Sequence, residues 1–303
     1  MHTPSAVALA LQFLLAPLLI GVIGRTKAAF AGRRGAPFLQ PYWDMAKLAG
    51  KGAVYSTTTT WVFKAGPALG LAAFCTASLL VPSGKIPALM AFSGDFLVMA
   101  ALLAAARFAT MAAALDTGSS FEGMGASREA QFSALCEPAL LVSFAVLARA
   151  SGSLSLSSIF PSLGRGAWQV SGPELALCAT ALAVVYLAEN ARIPVDDPAT
   201  HLELTMIHEV MVLDHCGPDF AMILYGSTLK LWLLGALVTG ILLPFDLGSP
   251  WANLGLFVGA QFVLAIAVGV VESSMARLRL LRVPQLLVGA GILACLSLVL
   301  MVG

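Results

Sequence analysis

Charge is what this sequence has least of. Of 303 residues only 33 are charged, 17 Lys plus Arg and 16 Asp plus Glu, while 59% are hydrophobic. A soluble domain carries about 25% charged residues, so a chain at 11% with a mean hydropathy of +0.89 cannot clothe itself in water and is read as an integral membrane protein. An excess of one sign is missing too. The formal net charge is +1, which gives no footprint for nucleic acid or an acidic substrate. The five cysteines, Cys75, Cys136, Cys178, Cys216 and Cys295, are scattered with no C-x-x-C pair, so neither a disulfide framework nor an iron–sulfur or zinc site is expected on this chain. No internal repeat supports the pseudo-symmetric halves of many secondary transporters. The ten-residue alternating segments of a membrane β-barrel are also missing.

Present instead are apolar stretches of the length a helix needs to cross a bilayer core of about 30 Å. They predict eight spans near 5–24, 65–82, 88–115, 131–150, 173–190, 221–243, 252–272 and 284–302, in an all-α polytopic bundle with further helices at the cytoplasmic edge and a single transmembrane domain over 1–303. Met1-His2-Thr3-Pro4 lacks a basic start and the charges follow the first apolar run, so that run is expected to stay as a helix rather than be cleaved. One set of loops, 25–64, 116–130, 191–220 and 273–283, holds Arg25, Lys27, Arg33, Arg34, Lys47, Lys51, Lys64, Arg128, Arg192, Arg277, Arg279 and Arg282. The other set holds Lys85, Arg165 and, at its edge, Arg149. The positive-inside rule places the first set in the cytoplasm and both termini outside. The outward stretch 151–172, rich in Ser and Gly, reads as a linker.

Acidic residues gather on the same cytoplasmic side, and topology does not explain them, because Asp and Glu contribute little to that rule. Thirteen of the sixteen lie there; the exceptions are Asp95, Glu174 and Asp246. Loop length accounts for Asp214, Asp219 and Glu122. It does not account for Glu137 two turns into the fourth span before Pro138, for Glu189 at the end of the fifth, or for Arg107 and Lys230 inside the third and sixth. An ionisable group at the bilayer centre costs at least about 2.5–3.5 kcal/mol, so these groups are expected to face the bundle interior with partners and to mark an ion or proton path. Glu272 reads equally as an end-of-helix group snorkelling to the interface.

The densest constellation is Glu189-Asn190-Ala191-Arg192-Ile193-Pro194-Val195-Asp196-Asp197-Pro198-Ala199-Thr200-His201-Leu202-Glu203, which continues to His208-Glu209. Pro194 ends the fifth span near Arg192. Asp197 as N-cap and Pro198 at the first helical position predict a new helix that stops at Gly217-Pro218. On such a helix His201, His208 and His215 share one stripe, roughly 10 Å apart along the axis, too far to bind one metal; the stripe reads as polar, partner-facing surface. Glu203 has two readings, a capping box with Thr200 or a member of an acidic path. Glu189 and Arg192, at i and i+3, are expected to pair. Histidine and carboxylates in one short segment can pass protons if water enters.

This segment resembles the signature of the proton-channel subunit of membrane-bound, energy-converting nickel–iron hydrogenases and formate hydrogenlyase, a family similar to the quinone-tunnel subunit of respiratory complex I. Gly32-Arg33-Arg34-Gly35-Ala36-Pro37-Phe38 through Asp44 and Lys47 resembles the loop after the first helix, and Gly123-Met124-Gly125-Ala126-Ser127-Arg128-Glu129 followed by Glu137 is a third matching block. Val195 stands where the quinone-reducing branch has Phe, and His201 where it has a further acid, which favours the hydrogenase branch. The resemblance implies a non-catalytic membrane subunit of an oxidoreductase complex, with loops 25–64, 116–130 and 191–220 docking a peripheral arm. It implies a proton path through Glu129, Glu137, Glu189, Glu203 and Glu209, and a docking and coupling surface of Arg33, Arg34, Asp44, Arg128, Arg192, Asp196, Asp197 and His201. No cofactor or metal is expected here; iron–sulfur clusters and the nickel–iron site are expected on partner subunits, namely the hydrogenase small and large subunits, with antiporter-like membrane subunits alongside. A quinone-site subunit and a free-standing ion-coupled transporter remain the competing readings.

Overall fold

The computed structural model describes residues 3–196 and 206–302. Among them there is no β-strand, and eleven α-helices follow in order: α1 Thr3–Phe30, α2 Gln40–Ala49, α3 Trp61–Ser78, α4 Asp95–Asp116, α5 Ser120–Ser151, α6 Leu156–Ser162, α7 Arg165–Val170, α8 Gly172–Glu189, α9 Gly217–Leu242, α10 Pro250–Ser274 and α11 Val283–Val302. Seven are long and apolar enough to cross a membrane: α1, α4, α5, α8, α9, α10 and α11 with the 3-10 turn before it. The remaining expected span is α3, 18 residues long, whose apolar density is diluted by Lys64, Gly66, Pro67 and Gly70. It packs against α4 and α9. The protein is thus an all-α polytopic membrane bundle.

Helix α9 is the hub. Trp232, Leu233, Leu234, Leu237 and Ile241 on it are buried, and it meets α1, α2, α3, α8 and α10; a helix apolar on all sides belongs inside a bundle. The outer faces carry exposed Leu14, Val263, Ile292 and Val299, as expected where the solvent is lipid. After α1 the chain folds back along it. Arg25 Nη1 donates to the Ala36 carbonyl at 3.3 Å, and the Tyr42 hydroxyl donates to the Leu14 carbonyl. Gly21 permits this return, since a Cβ there would lie 2.2 Å from the Phe38 carbonyl oxygen.

Three expectations need correction. Residues 116–130, expected as a loop, are mostly the first turns of α5. Glu122, Gly125, Ala126 and Glu129 are buried there, so the polarity that suggested water in fact faces protein. The supposed linker 151–172 contains α6 and α7. Beneath its Ser-rich composition, Leu156, Ile159, Phe160 and Leu163 form an i, i+3, i+4, i+7 stripe, and all four are at most 1% exposed. The helix expected from Asp197 to Gly217 is not seen over 206–216, which carry only a 3-10 turn at Glu209–Val212; the positions before 206 in that span lie outside the described residues. Gly217-Pro218 instead starts α9, with Pro218 in the first turn, where its missing N–H costs nothing.

The short helix α6 is held at both ends by charge. Asp95, fully buried, accepts from Ser155 Oγ at 2.7 Å and from the Leu156 N–H at 2.8 Å. At the other end Lys85 Nζ donates to the carbonyls of Phe160, Pro161 and Leu163 at 2.8, 3.2 and 3.3 Å. Anion at the N-terminus and cation at the C-terminus match the helix dipole. Removing the anion strands a buried N–H, so Asp95→Ala is expected to destabilise the protein by about 2–3 kcal/mol. Thermal unfolding in detergent checks this; an unchanged midpoint would show that the apolar stripe holds α6 alone.

Candidate functional site

Helix α8 has only 18 residues, about 27 Å at 1.5 Å per residue, and stops at Glu189. Its Glu189 therefore meets side chains from the middles of longer helices: Arg107, thirteenth of the 22 residues of α4, and Lys230, fourteenth of the 26 of α9. Arg107 Nη1 lies 2.9 Å from Glu189 Oε1, and Lys230 Nζ lies 2.8 Å from Glu189 Oε2. The second guanidinium nitrogen of Arg107 reaches Glu137 Oε1 on α5 at 2.9 Å. Two acids and two bases alternate in a line, Glu137–Arg107–Glu189–Lys230, with zero net charge. Alternation is what a low-dielectric interior demands, since an unpaired ion there costs several kcal/mol.

A second line lies beside it. Asp196 accepts from the backbone N–H groups of Ile207 and His208 at 3.2 and 3.3 Å. Its carboxylate lies 2.9 Å from Arg277 Nη2 and 3.5 Å from His208 Nδ1, and His208 Nε2 is 3.2 Å from Glu129 Oε2 on α5. Gly125 makes room for this segment, because a Cβ there would lie 2.4 Å from Val210 Cγ1 and 2.9 Å from Met211 Cγ. Burial opposes charge on His208, but the carboxylates of Glu129 and Asp196 outweigh it and raise its pKa above the ordinary value. For Asp196 burial likewise opposes ionisation, while His208 and Arg277 prevail and lower the pKa. Counting Glu129, Asp196, Arg277 and His208, this line is neutral only when His208 carries a proton.

The two lines meet at a cavity of about 10 Å³ walled by Glu129, His208, Glu189, Cys136, Ala188 and Val195. That is near the least volume that holds one water. A water there would place Glu129 and Glu189 one relay step apart. A third group, Lys27–Glu272–Arg192, closes the same end of the bundle: Lys27 Nζ is 2.8 Å and Arg192 Nη1 3.4 Å from the fully buried Glu272 carboxylate.

Of the expected path residues, Glu129, Glu137 and Glu189 are brought together, and Glu209 opens the 3-10 turn just after His208. Glu203, Asp197 and His201 lie outside the described residues. Among the expected docking residues, Arg33, Arg34 and Asp44 are exposed around α2, with Asp44 accepting from Gln40 Nε2 at 2.8 Å. Arg128 donates to the Met206 carbonyl at 2.8 Å, and Arg192 and Asp196 are buried instead of facing outward. Glu189 and Arg192 do not pair: the chain turns after α8, and each finds partners on other helices. The histidine stripe also dissolves, since His208 sits between two carboxylates and His215 is buried, stacked on Phe63 at 4.0 Å. Glu272 is paired in the interior and does not snorkel. Sequence reasoning expected Arg107 and Lys230 to face the interior with partners, from a basic residue inside an apolar span, without naming those partners; it put His208 on a partner-facing stripe and gave Arg277 no role beyond topology.

With this geometry established, comparison with known proteins places the chain. The family model described as NADH dehydrogenase matches residues 4–303. Formate hydrogenlyase subunit 4 of Escherichia coli is 32% identical over 287 residues, covering 90% of this chain and 90% of that protein. Hydrogenase-4 component C of the same organism is 30% identical over 276 residues, covering 89% and 86%. An NADH-quinone oxidoreductase subunit of Acidovorax is 26% identical over 241 residues, covering 74% of this chain and 66% of that protein. The fold matches a chain in the structure of the membrane-bound sulfane sulfur reductase, an archaeal respiratory membrane complex, with a TM-score of 0.84 over 98% of both chains at 19% identity.

Because Arg107 neutralises two carboxylates, Arg107→Met is expected to cost about 3–5 kcal/mol by leaving buried charge uncompensated. Adding Glu189→Gln is expected to restore part of that loss, a coupling that a double-mutant cycle of thermal unfolding measures; strict additivity would mean that the pair does not interact energetically.

Proposed function

The chain belongs to the NADH dehydrogenase family, and from that premise we propose that it is the membrane subunit of a nickel–iron hydrogenase or formate-hydrogenlyase-type complex. In this reading it anchors a peripheral redox arm in the inner (plasma) membrane and couples electron transfer to proton or sodium movement. Both termini face outward in this reading, following the bias of the loop charges. The partners are the hydrogenase small and large subunits and antiporter-like membrane subunits. Iron–sulfur and nickel–iron centres on those partners would supply the electron chemistry, and this chain holds and moves charge.

One observation carries the reading. The neutral line of charges does not end inside the bundle: it ends at Glu137, eighteenth of the 32 residues of α5, whose side chain is 44% exposed on an apolar wall. A carboxylate bare to lipid at that depth costs at least about 2.5 kcal/mol, so a neighbouring membrane subunit covers it and continues the path. That supports a complex over a free-standing transporter. Identity of 32% and 30% to subunits of hydrogen-metabolising complexes, against 26% to the NADH-quinone oxidoreductase subunit, supports the hydrogenase reading over a quinone site.

The residues suggest how coupling proceeds. Two carboxylates facing His208 favour its protonated form against burial and the Lys230 charge. Any displacement of Asp196 away from His208 lowers the proton affinity of His208, and Glu129 at 3.2 Å is the acceptor. Passage through the cavity to Glu189 requires the Lys230 contact to loosen, after which Arg107 can shift its charge between Glu189 and Glu137.

Glu189→Gln and Glu137→Gln are expected to abolish ion translocation in inverted membrane vesicles during hydrogen turnover while the complex still assembles on a native gel. Failed assembly would make both carboxylates structural. His208 also predicts a pH dependence. With its pKa raised in the folded state from an ordinary value of 6.5, its contribution to stability is complete below about 6.5 and is lost as pH rises through the elevated value. Asp196 works the other way, contributing above 3.8 and failing only as pH falls further. The thermal midpoint is therefore expected to decline as pH rises above about 6.5, and His208→Gln to flatten that decline; identical pH curves would refute the assignment.

A further inference from the structure

The opposite end of the bundle carries a second feature with no part in that charge line. Helix α8 starts there, α9 ends there and α10 begins there, so residues 243–249 mark the membrane boundary. A pocket of about 550 Å³ opens between the α6–α7 junction and this turn, lined by Arg165, Pro244, Phe245, Asp246, Leu247 and Leu256.

Its charges are arranged unusually. Cations are rare on this side, and the other two have evident roles: Lys85 caps α6, and Arg149 occupies the last turn of α5, where the helix dipole favours it. Arg165 is the first residue of α7, where a cation gains nothing from the helix. Among the described residues it meets no carboxylate; its guanidinium lies over the Phe245 ring, 5.0 Å from the centroid. Asp246 lines the same pocket and forms no ion pair with Arg165; its hydrogen bonds and, from beyond ion-pair distance, the charge of Lys85 lower its pKa. Asp246 Oδ1 is fixed by Asn253 Nδ2 at 2.9 Å and the Gly248 N–H at 2.8 Å.

Both walls are tied by hydrogen bonds. The α6–α7 side is held by Lys85 on α6 and by Trp168 Nε1 donating to the Ile241 carbonyl at 3.1 Å. The facing side is held by Asn253, which also accepts from the Leu247 N–H at 2.9 Å. A cation and an anion are thus kept apart in one pocket, beside apolar Pro244, Leu247 and Leu256, at the depth of lipid headgroups.

We propose that this pocket binds one amine-bearing zwitterionic phospholipid, its phosphate on Arg165, its ammonium toward Asp246 and its acyl chains along Leu247 and Leu256. A singly anionic headgroup would satisfy Arg165 but meet Asp246 with like charge. A zwitterion satisfies both, and guanidinium with phosphate is a strong charge-assisted pair. The site is independent of the coupling role proposed above.

Native mass spectrometry of the intact complex, washed in detergent and titrated with phosphatidylethanolamine, phosphatidylglycerol or inorganic phosphate, tests it. Phosphatidylethanolamine is expected to be retained at one per chain. Arg165→Ala should weaken it about tenfold, the loss of one charge-assisted contact. Asp246→Asn should weaken phosphatidylethanolamine but not phosphatidylglycerol. Arg165 and Asp246 are exposed, so the variants are expected to fold, and an unchanged complex mass confirms it. Equal retention of the two lipids by the wild type, displacement by inorganic phosphate, a pocket filled by another subunit, or indifference to Arg165→Ala would each overturn the proposal.

Discussion

The structure depends on one constraint: charge brought inside this bundle must be matched at once, because neither lipid nor a packed interior will screen it. Arg107 is the residue on which that matching turns. Its guanidinium offers two nitrogens in fixed geometry, one to Glu189 and one to Glu137, both at 2.9 Å. Lysine in its place would offer a single point charge and could not hold two carboxylates from different helices so firmly. Through Arg107 the helices α4, α5 and α8 are joined by charge as well as by packing, and Lys230 adds α9. A site so tied cannot relax one member without disturbing the next, which is the property a coupling element needs.

The turn after α8 is held by similar means from the far end of α10. Arg192 reaches Glu272, the Leu278 N–H donates to the Pro194 carbonyl at 3.0 Å, and Arg277 reaches Asp196. Three contacts of different kinds strap 192–196 to 272–278, so a displacement of either segment is transmitted to the other. His208 lies within the reach of this strap, because Asp196 is both the partner of Arg277 and one of the two carboxylates facing the imidazole. Protonation at His208 and the position of the α10 terminus are therefore linked through one side chain.

Much of this was legible in the sequence. Scarcity of charge identified the membrane, the apolar runs located most spans within a few residues, and the intramembrane rule singled out Glu137 and Glu189 as paired interior groups. What could not be read was which group pairs with which. The i, i+3 spacing suggested Glu189 with Arg192, but that rule holds only while the helix continues, and α8 ends between them. The actual partners, Arg107 and Lys230, are 82 and 41 positions away along the chain, separations that no local pattern encodes. The Ser-rich stretch 151–172 misled for a related reason: composition masked the four-residue apolar stripe of α6, whose ends are fixed by Asp95 and Lys85 from a distant segment.

The two ends of the bundle use the same scarce resource differently. At one end, acids and bases from six helices and two connecting segments are linked so closely that the remaining freedom is where a proton sits among Glu129, His208 and Asp196. At the other, charges are spent singly: Asp95 and Lys85 fix one short helix, and Arg165 and Asp246 are held apart. Linked charges can exchange a proton or a partner at little net cost, because every loss is another group's gain. Charges outside any ion pair cannot, and Asp95 and Lys85 hold backbone groups instead. The two ends therefore differ in kind: one is a linked network in which a proton can change place, the other a set of separate attachments to backbone and loop.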